Sequence, residues 1–208
     1  VRGYQTSAEM NFHSDQCDYV ALLCMQPAKS GGASRIASSA TLYNEMLKTC
    51  PELVQELTAE LYLARHGESP PGGQPWYRMP IFSFHQGYFT ARGAGAHVMK
   101  AQGLPGVPPF TEAQIAALQA FRDTAKRIYF DMHFRPGDIQ ILHNHVMLHT
   151  RTAFEDWPEP ERKRHLMRLW LAADRVGRPV VPGFRENIQG IRVAGTVPCA
   201  PVDALEPA

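Results

Sequence analysis

The chain has 208 residues, 44% of them hydrophobic and 20% charged, with a net charge of +1 at neutral pH. That length supports a full hydrophobic core in one domain, and the balanced charge gives no field to attract nucleic acid or an anionic membrane. No apolar run reaches membrane-spanning length and the N-terminus is not of signal-peptide type, so a cytoplasmic protein is expected.

Four cysteines (Cys17, Cys24, Cys50 and Cys199) have neither CxxC spacing nor the density of a disulfide scaffold, and read as reduced thiols. Cys17 and Cys24 read as small core residues. The chain opens at Val1 without a methionine and runs almost at once into strand-like sequence. It reads as the C-terminal part of something longer.

In chain order, Tyr19 to Met25 is an apolar run of strand length, ended by Pro27 and the turn residues Lys29-Ser30-Gly31-Gly32. Ser34 to Ser38 is a second short strand. Thr41 to Lys48 has helical spacing, with Leu42, Met46 and Leu47 on one side, and Pro51 to Ala59 continues as another helical turn or two. Glu60 to Arg65 alternates, GESPPGGQP is a loop, and Met79 to Phe84 is a strand. The best-defined helix runs from Thr111 to about Phe130. Thr111 and Gln114 form its capping box, Phe110 and Ile115 have the spacing of a hydrophobic staple, and Ile115, Leu118, Phe121, Ala125 and Ile128 form its apolar stripe. After the Pro136-Gly137 turn, Asp138 to Leu148 reads as a strand with a bend, and Arg164 to Leu171 as a last strand. From Gly177 to residue 208 proline and glycine dominate and an irregular tail is expected.

Short strands with long, partly helical insertions point to a mainly β protein, a sandwich or jelly roll with flanking helices. Strands and helices do not alternate regularly, and no GxGxxG or Walker pattern supports a nucleotide fold.

The chemistry is concentrated in two places. His13-Ser14-Asp15 sets two ligand-type side chains two residues apart, on one face of an extended segment. The second place is GDIQILHNHVMLHTRTAF, with His143, His145 and His149. Alternation puts His143 and His145 on one face and Asn144 on the other. A lone histidine on an apolar strand is more often a hydrogen-bonded core residue than a ligand, but three within seven residues favour a metal. Two readings stay open on the residues alone. One joins His13, Asp15 and a distal histidine into a facial triad that leaves positions free on Fe(II). The other is a cupin-like site built from His143, His145 and His149, although no second motif with a further histidine follows it.

Three blocks, FHSDQCDYVALLCMQPAKSGGAS, PGDIQILHNHVMLHTRTAFED and RHLMRLWLA, together resemble the TauD/TfdA family of Fe(II)- and 2-oxoglutarate-dependent dioxygenases. The resemblance runs from about residue 8 to about residue 175 and implies the double-stranded β-helix of clavaminate synthase-like enzymes. It places His13, Asp15 and His149 on the three iron ligands. Ser34 matches the hydroxyl that contacts 2-oxoglutarate, and Arg164 the arginine that binds its distal carboxylate. Arg168 matches a second arginine, facing the anionic end of a substrate or 2-oxoglutarate itself. A guanidinium fork and a hydroxyl suit a buried carboxylate. Arg164 and Arg168 lie roughly 13 Å apart along an extended strand, so separate roles are easier than joint grip of one carboxylate. Asn144 and Thr150 or Arg151 are candidates for orienting the distal ligand.

The family's reaction is hydroxylation of a small organic substrate with dioxygen, releasing succinate and carbon dioxide; the substrate is read here as small and anionic. Homo-oligomerisation is compatible with the sequence. Family members carry further residues upstream of the HxD pair, including sheet strands and part of the pocket, and an incomplete sheet would expose an edge and apolar surface. Besides the dioxygenase and the cupin-like protein, a third reading is a relic of the fold that binds a ligand or partner without turnover.

Overall fold

Residues 6–65, 69, 72–173 and 177–185 are described in the structure, a computed structural model. The first segment holds β1 (Tyr19–Gln26), β2 (Ser30–Gly31) and β3 (Ser34–Ser38). An insertion follows, with α1 (Ser39–Thr49), α2 (Pro51–Thr58), β4 (Glu60–Ala64), β5 (Trp76–Pro80), β6 (Phe82–His85), β7 (Tyr88–Ala91), α3 (Ala96–Ala101) and α4 (Glu112–Ile128). The chain then returns through β8 (Phe130–Met132), β9 (Ile139–His143), β10 (Met147–Arg151), β11 (Phe154–Glu155), β12 (His165–Leu171) and the short α5 (Pro182–Arg185).

Two antiparallel sheets carry the architecture, ordered β12-β1-β9 and β10-β3-β8. Period-2 alternation sorts their side chains. Val20 of β1 stands between Leu142 and Trp170, and these pack with Ile36 of β3 and Met147 of β10 in a small cluster between the sheets. The opposite face of the second sheet, through Ala37 and Leu148, joins a larger core. That core is filled by Leu42 and Met46 of α1, Val54 and Leu57 of α2, and Leu118 and Phe121 of α4. The result is the jelly-roll sandwich with flanking helices expected from the sequence.

Local chemistry sets the helix ends. The Ser38 hydroxyl accepts from Thr41 N at 3.2 Å at the start of α1, and Pro51 opens α2. On α4 the reciprocal box is present: Gln114 N donates to Thr111 Oγ1 at 3.1 Å, and Thr111 N to Gln114 Oε1 at 3.2 Å. The buried stripe of α4 runs through Ala117, Leu118, Phe121, Thr124 and Ala125, which turns Ile115 outward, while Phe110 packs against the core. Leu47, expected on the inner side of α1, is likewise exposed.

Two strand expectations change. Met79 to Phe84 is not one strand: β5 pairs with β4 and β6 with β7, and the break follows Pro80, which has no N–H to extend a ladder. Asp138 to Leu148 is two strands in different sheets, β9 on β1 and β10 on β3, joined by a turn at Asn144, His145 and Val146. At the chain's end, Val180 and Phe184 are buried in the core, so residues 177–185 are less irregular than expected. The rest of the expected tail, with Cys199, lies outside the described residues. Among the described residues, no helix is long and apolar enough to cross a membrane.

Candidate metal centre

The segment before β1 runs beside the edge of β10. Met10 N donates to Arg151 O at 3.1 Å, His13 N to His149 O at 3.0 Å, and His149 N back to His13 O at 2.8 Å. This bridge sets the two imidazoles side by side, with ring centroids 4.4 Å apart. Asp15 completes the group: its Oδ1 is 3.9 Å from His13 Nε2 and its Oδ2 is 3.8 Å from His149 Nε2. Among the described residues, His13, Asp15 and His149 form the one cluster of three metal-ligating side chains. Ligand atoms each about 2 Å from a shared first-row metal stand no more than about 4 Å apart; one ligand atom from each of the three residues lies within 4.8 Å of the others here, so a small inward shift of the side chains would bring them onto one ion.

The arrangement of donors suits a metal. His13 Nδ1 donates to Asn11 O at 2.9 Å, which fixes the ring with its Nε2 toward Asp15. Burial, with His13 adding to it, pushes the His149 imidazole down to about 3, so it is neutral at physiological pH, and its Nδ1 has no hydrogen-bond partner among the described residues. Burial alone would raise the Asp15 carboxyl, but His149, His13, Arg168 and the Trp170 N–H together hold it below the ordinary carboxylate value. Two imidazoles and one carboxylate are the donor set that divalent iron accepts.

Several neighbours hold this geometry. Asp15 N donates to the buried Asn144 side-chain oxygen at 3.1 Å, and Asn144 Nδ2 donates to Cys17 Sγ at 3.0 Å. Asn144 therefore anchors Asp15 rather than the distal histidine. Thr150 and Arg151 also turn away from it: the Thr150 hydroxyl donates to Met10 O, and Arg151 Nη2 donates to Thr6 O at 3.0 Å and Ala8 O at 2.6 Å. Both tie the N-terminal segment to β10. Behind His13 stands Gly93, where an added Cβ would lie 2.4 Å from the His13 Cα. Burial, with Asp15 and Asp18 nearby, pushes the Cys17 thiol up to about 12, in keeping with a core residue; Cys24 is buried as well.

The other two histidines of the cluster go elsewhere. His143 sits at the end of β9 with its ring edge-on to Tyr19 at 4.9 Å. His145 is buried in the turn, its Nε2 2.7 Å from Asp18 Oδ1. They do not share a strand face, and neither converges with His149.

Ser34 is buried between the sheets, where its hydroxyl donates to Gln140 Oε1 at 2.9 Å. Arg164 precedes β12, its backbone N donating to Asp156 Oδ1 at 2.7 Å. Its guanidinium lies against Gly32, where a Cβ would be 3.2 Å from Nε, and 5.3 Å from the Phe154 ring centroid. It lines a cavity of about 260 Å³ with Cys24, Lys29, Gly31, Gly32 and His133. Burial lowers the Arg164 pKa against a smaller opposing pull from Cys24 and Asp156, and among the described residues no acidic side chain lines the cavity. The cavity borders neither Ser34 nor the His–Asp–His cluster. A larger cavity, about 570 Å³ between Trp76, Arg78 and Pro182, shares no residue with either.

Arg168 does not reach the Arg164 cavity. Its Nη1 is 3.5 Å from Asp15 Oδ2, and its guanidinium is 4.6 Å from the Trp170 ring centroid. Trp170 Nε1 itself donates to Asp15 Oδ2 at 2.7 Å. Trp170 and Gly93 escaped the sequence reading. For Trp170 a signal existed, since it follows Arg168 by two on the same strand face.

Residues 2–170 match the family model described as taurine catabolism dioxygenase TauD, TfdA family. The chain belongs to the TauD/TfdA family. Among curated relatives, FR-33289 synthase of Streptomyces rubellomurinus is 34% identical over 203 residues, covering 93% of this chain and 58% of the relative. A taurine hydroxylase-like protein of Stachybotrys chartarum is 28% identical over 183 residues, covering 85% of this chain and 46% of that protein. The chain thus spans about half the length of these relatives. An asparagine oxygenase, solved with Fe(II), 2S,3S-3-hydroxyasparagine and succinate, has the same fold with a TM-score of 0.60 at 21% identity, covering 79% of this chain and 50% of that one.

Proposed function

We propose that this chain carries the metal centre of a non-haem Fe(II)- and 2-oxoglutarate-dependent dioxygenase that hydroxylates a small organic substrate. The observation that supports the reading is the gathering of His13, Asp15 and His149, with one ligand atom from each within 4.8 Å of the others, where the His13 and His149 segments pair. Membership of the TauD/TfdA family supports it. Iron bound there would supply the activation of dioxygen, coupled to oxidative decarboxylation of 2-oxoglutarate to succinate and carbon dioxide.

This chain's residues supply the rest. His13, Asp15 and His149 would hold the metal, and three protein ligands would leave it room for a cosubstrate and dioxygen. Arg164, buried beside Gly32 with Lys29 and His133 on the same cavity, is the group for the distal carboxylate of 2-oxoglutarate; a guanidinium there neutralises and orients a carboxylate removed from water. Ser34 lies between the sheets next to Gln140 and serves the same cosubstrate if its hydroxyl exchanges partners on binding. Arg168 bears on the metal ligand Asp15, so its attraction for an anionic substrate acts from beside the metal.

The test uses the full-length protein with Fe(II), 2-oxoglutarate and ascorbate, measuring metal uptake by equilibrium dialysis and succinate by chromatography. Asp15→Ala and His149→Ala should each weaken metal binding by more than the roughly 10–100-fold typical of residues outside the ligand set, and abolish succinate formation. His143→Ala should keep both. Metal uptake that survives Asp15→Ala but not His143→Ala would overturn the assignment in favour of a cupin-like site. Metal uptake without any succinate would favour a fold that binds and no longer turns over.

A further inference from the structure

The two oxygens of Asp15 are not equivalent. Oδ2 receives the Trp170 indole N–H at 2.7 Å and has the Arg168 guanidinium at 3.5 Å and His149 Nε2 at 3.8 Å, whereas Oδ1 has His13 Nε2 at 3.9 Å. An indole nitrogen is a donor only and does not titrate in the working range, so it marks the same oxygen as an acceptor at every pH. Trp170 is held for this task. It projects from β12 into the space between the sheets opposite Val20, packs with the small inner cluster, and carries Arg168 over its ring. The backbone of Asp15 is fixed separately through Asn144, and the Trp170 and Arg168 contacts on Oδ2 oppose rotation of the carboxylate.

We propose that Trp170 is a positioning residue for the metal centre: its indole N–H, backed by Arg168, occupies Asp15 Oδ2, and Asp15 therefore presents Oδ1 alone to the metal. The inference rests on the function proposed above and adds a reason for the open positions. A carboxylate that binds through one oxygen leaves three positions free beside two imidazoles, and one that chelates through both removes a position that a bidentate keto acid needs. Freed of its indole partner, Oδ2 becomes a competing ligand.

The experiment compares full-length wild type and Trp170→Phe, which keeps an aromatic ring and removes the N–H. Co(II) replaces iron, and its visible absorption reports coordination number directly, without turnover. A titration with 2-oxoglutarate then gives the cosubstrate affinity of the metal-loaded protein. The variant should bind Co(II), show a changed visible spectrum before 2-oxoglutarate is added, and need about tenfold more 2-oxoglutarate for saturation. Should Trp170→Phe fail to fold, benzothienylalanine at position 170 makes the same comparison, because sulfur replaces the N–H in a ring of the same shape. A variant that matches wild type in both spectrum and 2-oxoglutarate affinity overturns the role of Trp170 and leaves the metal site standing. A wild-type protein that takes up no Co(II) overturns the metal site and this inference together.

Discussion

Gly93 shows how a residue with no side chain can govern a ligand. It belongs to the stretch between β7 and α3, and its backbone N donates to the Ser14 hydroxyl at 3.4 Å while its Cα faces the His13 backbone. A methyl group at this position would meet the His13 Cα at 2.4 Å and Ser14 N at 3.0 Å, and backbone on both sides cannot yield as a flexible side chain would. Gly93→Ala should therefore displace His13 and weaken metal binding about tenfold or more, with a destabilisation of about 1–3 kcal/mol, read by metal dialysis and urea unfolding in parallel. Wild-type values in both measurements would show that the backbone there is freer to move. His13 and Asp15 were legible in the sequence because two ligands on one extended segment need only a spacing of two. His149 was legible through the family pattern, not through its own position, since His143 and His145 looked equally suitable. Trp170 was harder: its partner Asp15 is 155 residues away, and no local pattern specifies that contact.

Among the elements, those whose ends are set by neighbouring residues were read best. The start of α4 follows from Thr111 and Gln114 alone, and both reciprocal hydrogen bonds are present. Thr111→Ala should cost about 1 kcal/mol of stability in urea unfolding and leave metal uptake unchanged, because α4 packs on the far face of the β10-β3-β8 sheet. A loss of metal at constant stability would contradict that separation. β3 (Ser34–Ser38) matched its expected bounds, being ended directly by the Ser38 cap of α1. The β9–β10 region was misread because apolar alternation continues through His145 while the chain leaves one sheet for the other. What sets the turn there is nonlocal: Asn144 N donates to Asp18 O at 3.0 Å, and His145 is buried against Asp18. Periodicity cannot register a partner from another strand.

At the scale of the whole molecule, the two sheets are treated unequally. The outer face of β10-β3-β8 is covered by helices, whereas that of β12-β1-β9 carries a row of exposed apolar side chains. Ile141 and Leu169 flank Ala21, and Ile139 and Met167 flank Leu23, all four standing about half exposed or more. Apolar surface on this scale favours association. Ile141→Glu with Leu169→Glu should reduce concentration-dependent association of the 208-residue chain in sedimentation velocity and leave metal uptake intact, since both side chains point away from the space between the sheets. Unchanged sedimentation would remove this face as a cause of self-association. Sequence alone gave the class of this architecture through its short strands and helical insertion, and raised the prospect of uncovered apolar surface. Which face is uncovered depends on the register of three strands distant in the chain.

The bridge between His13 and His149 also bears on the order in which the molecule comes together. It joins two segments separated by most of the chain, so the entire helical insertion forms a loop whose ends meet at that bridge. Closing so long a loop is entropically unfavourable and must precede assembly of the three ligating side chains. An ion that binds only the closed form draws the equilibrium toward it by mass action. The same centre then acts as a clasp on the chain, and its occupancy would be felt in the fold's resistance to opening as well as in chemistry.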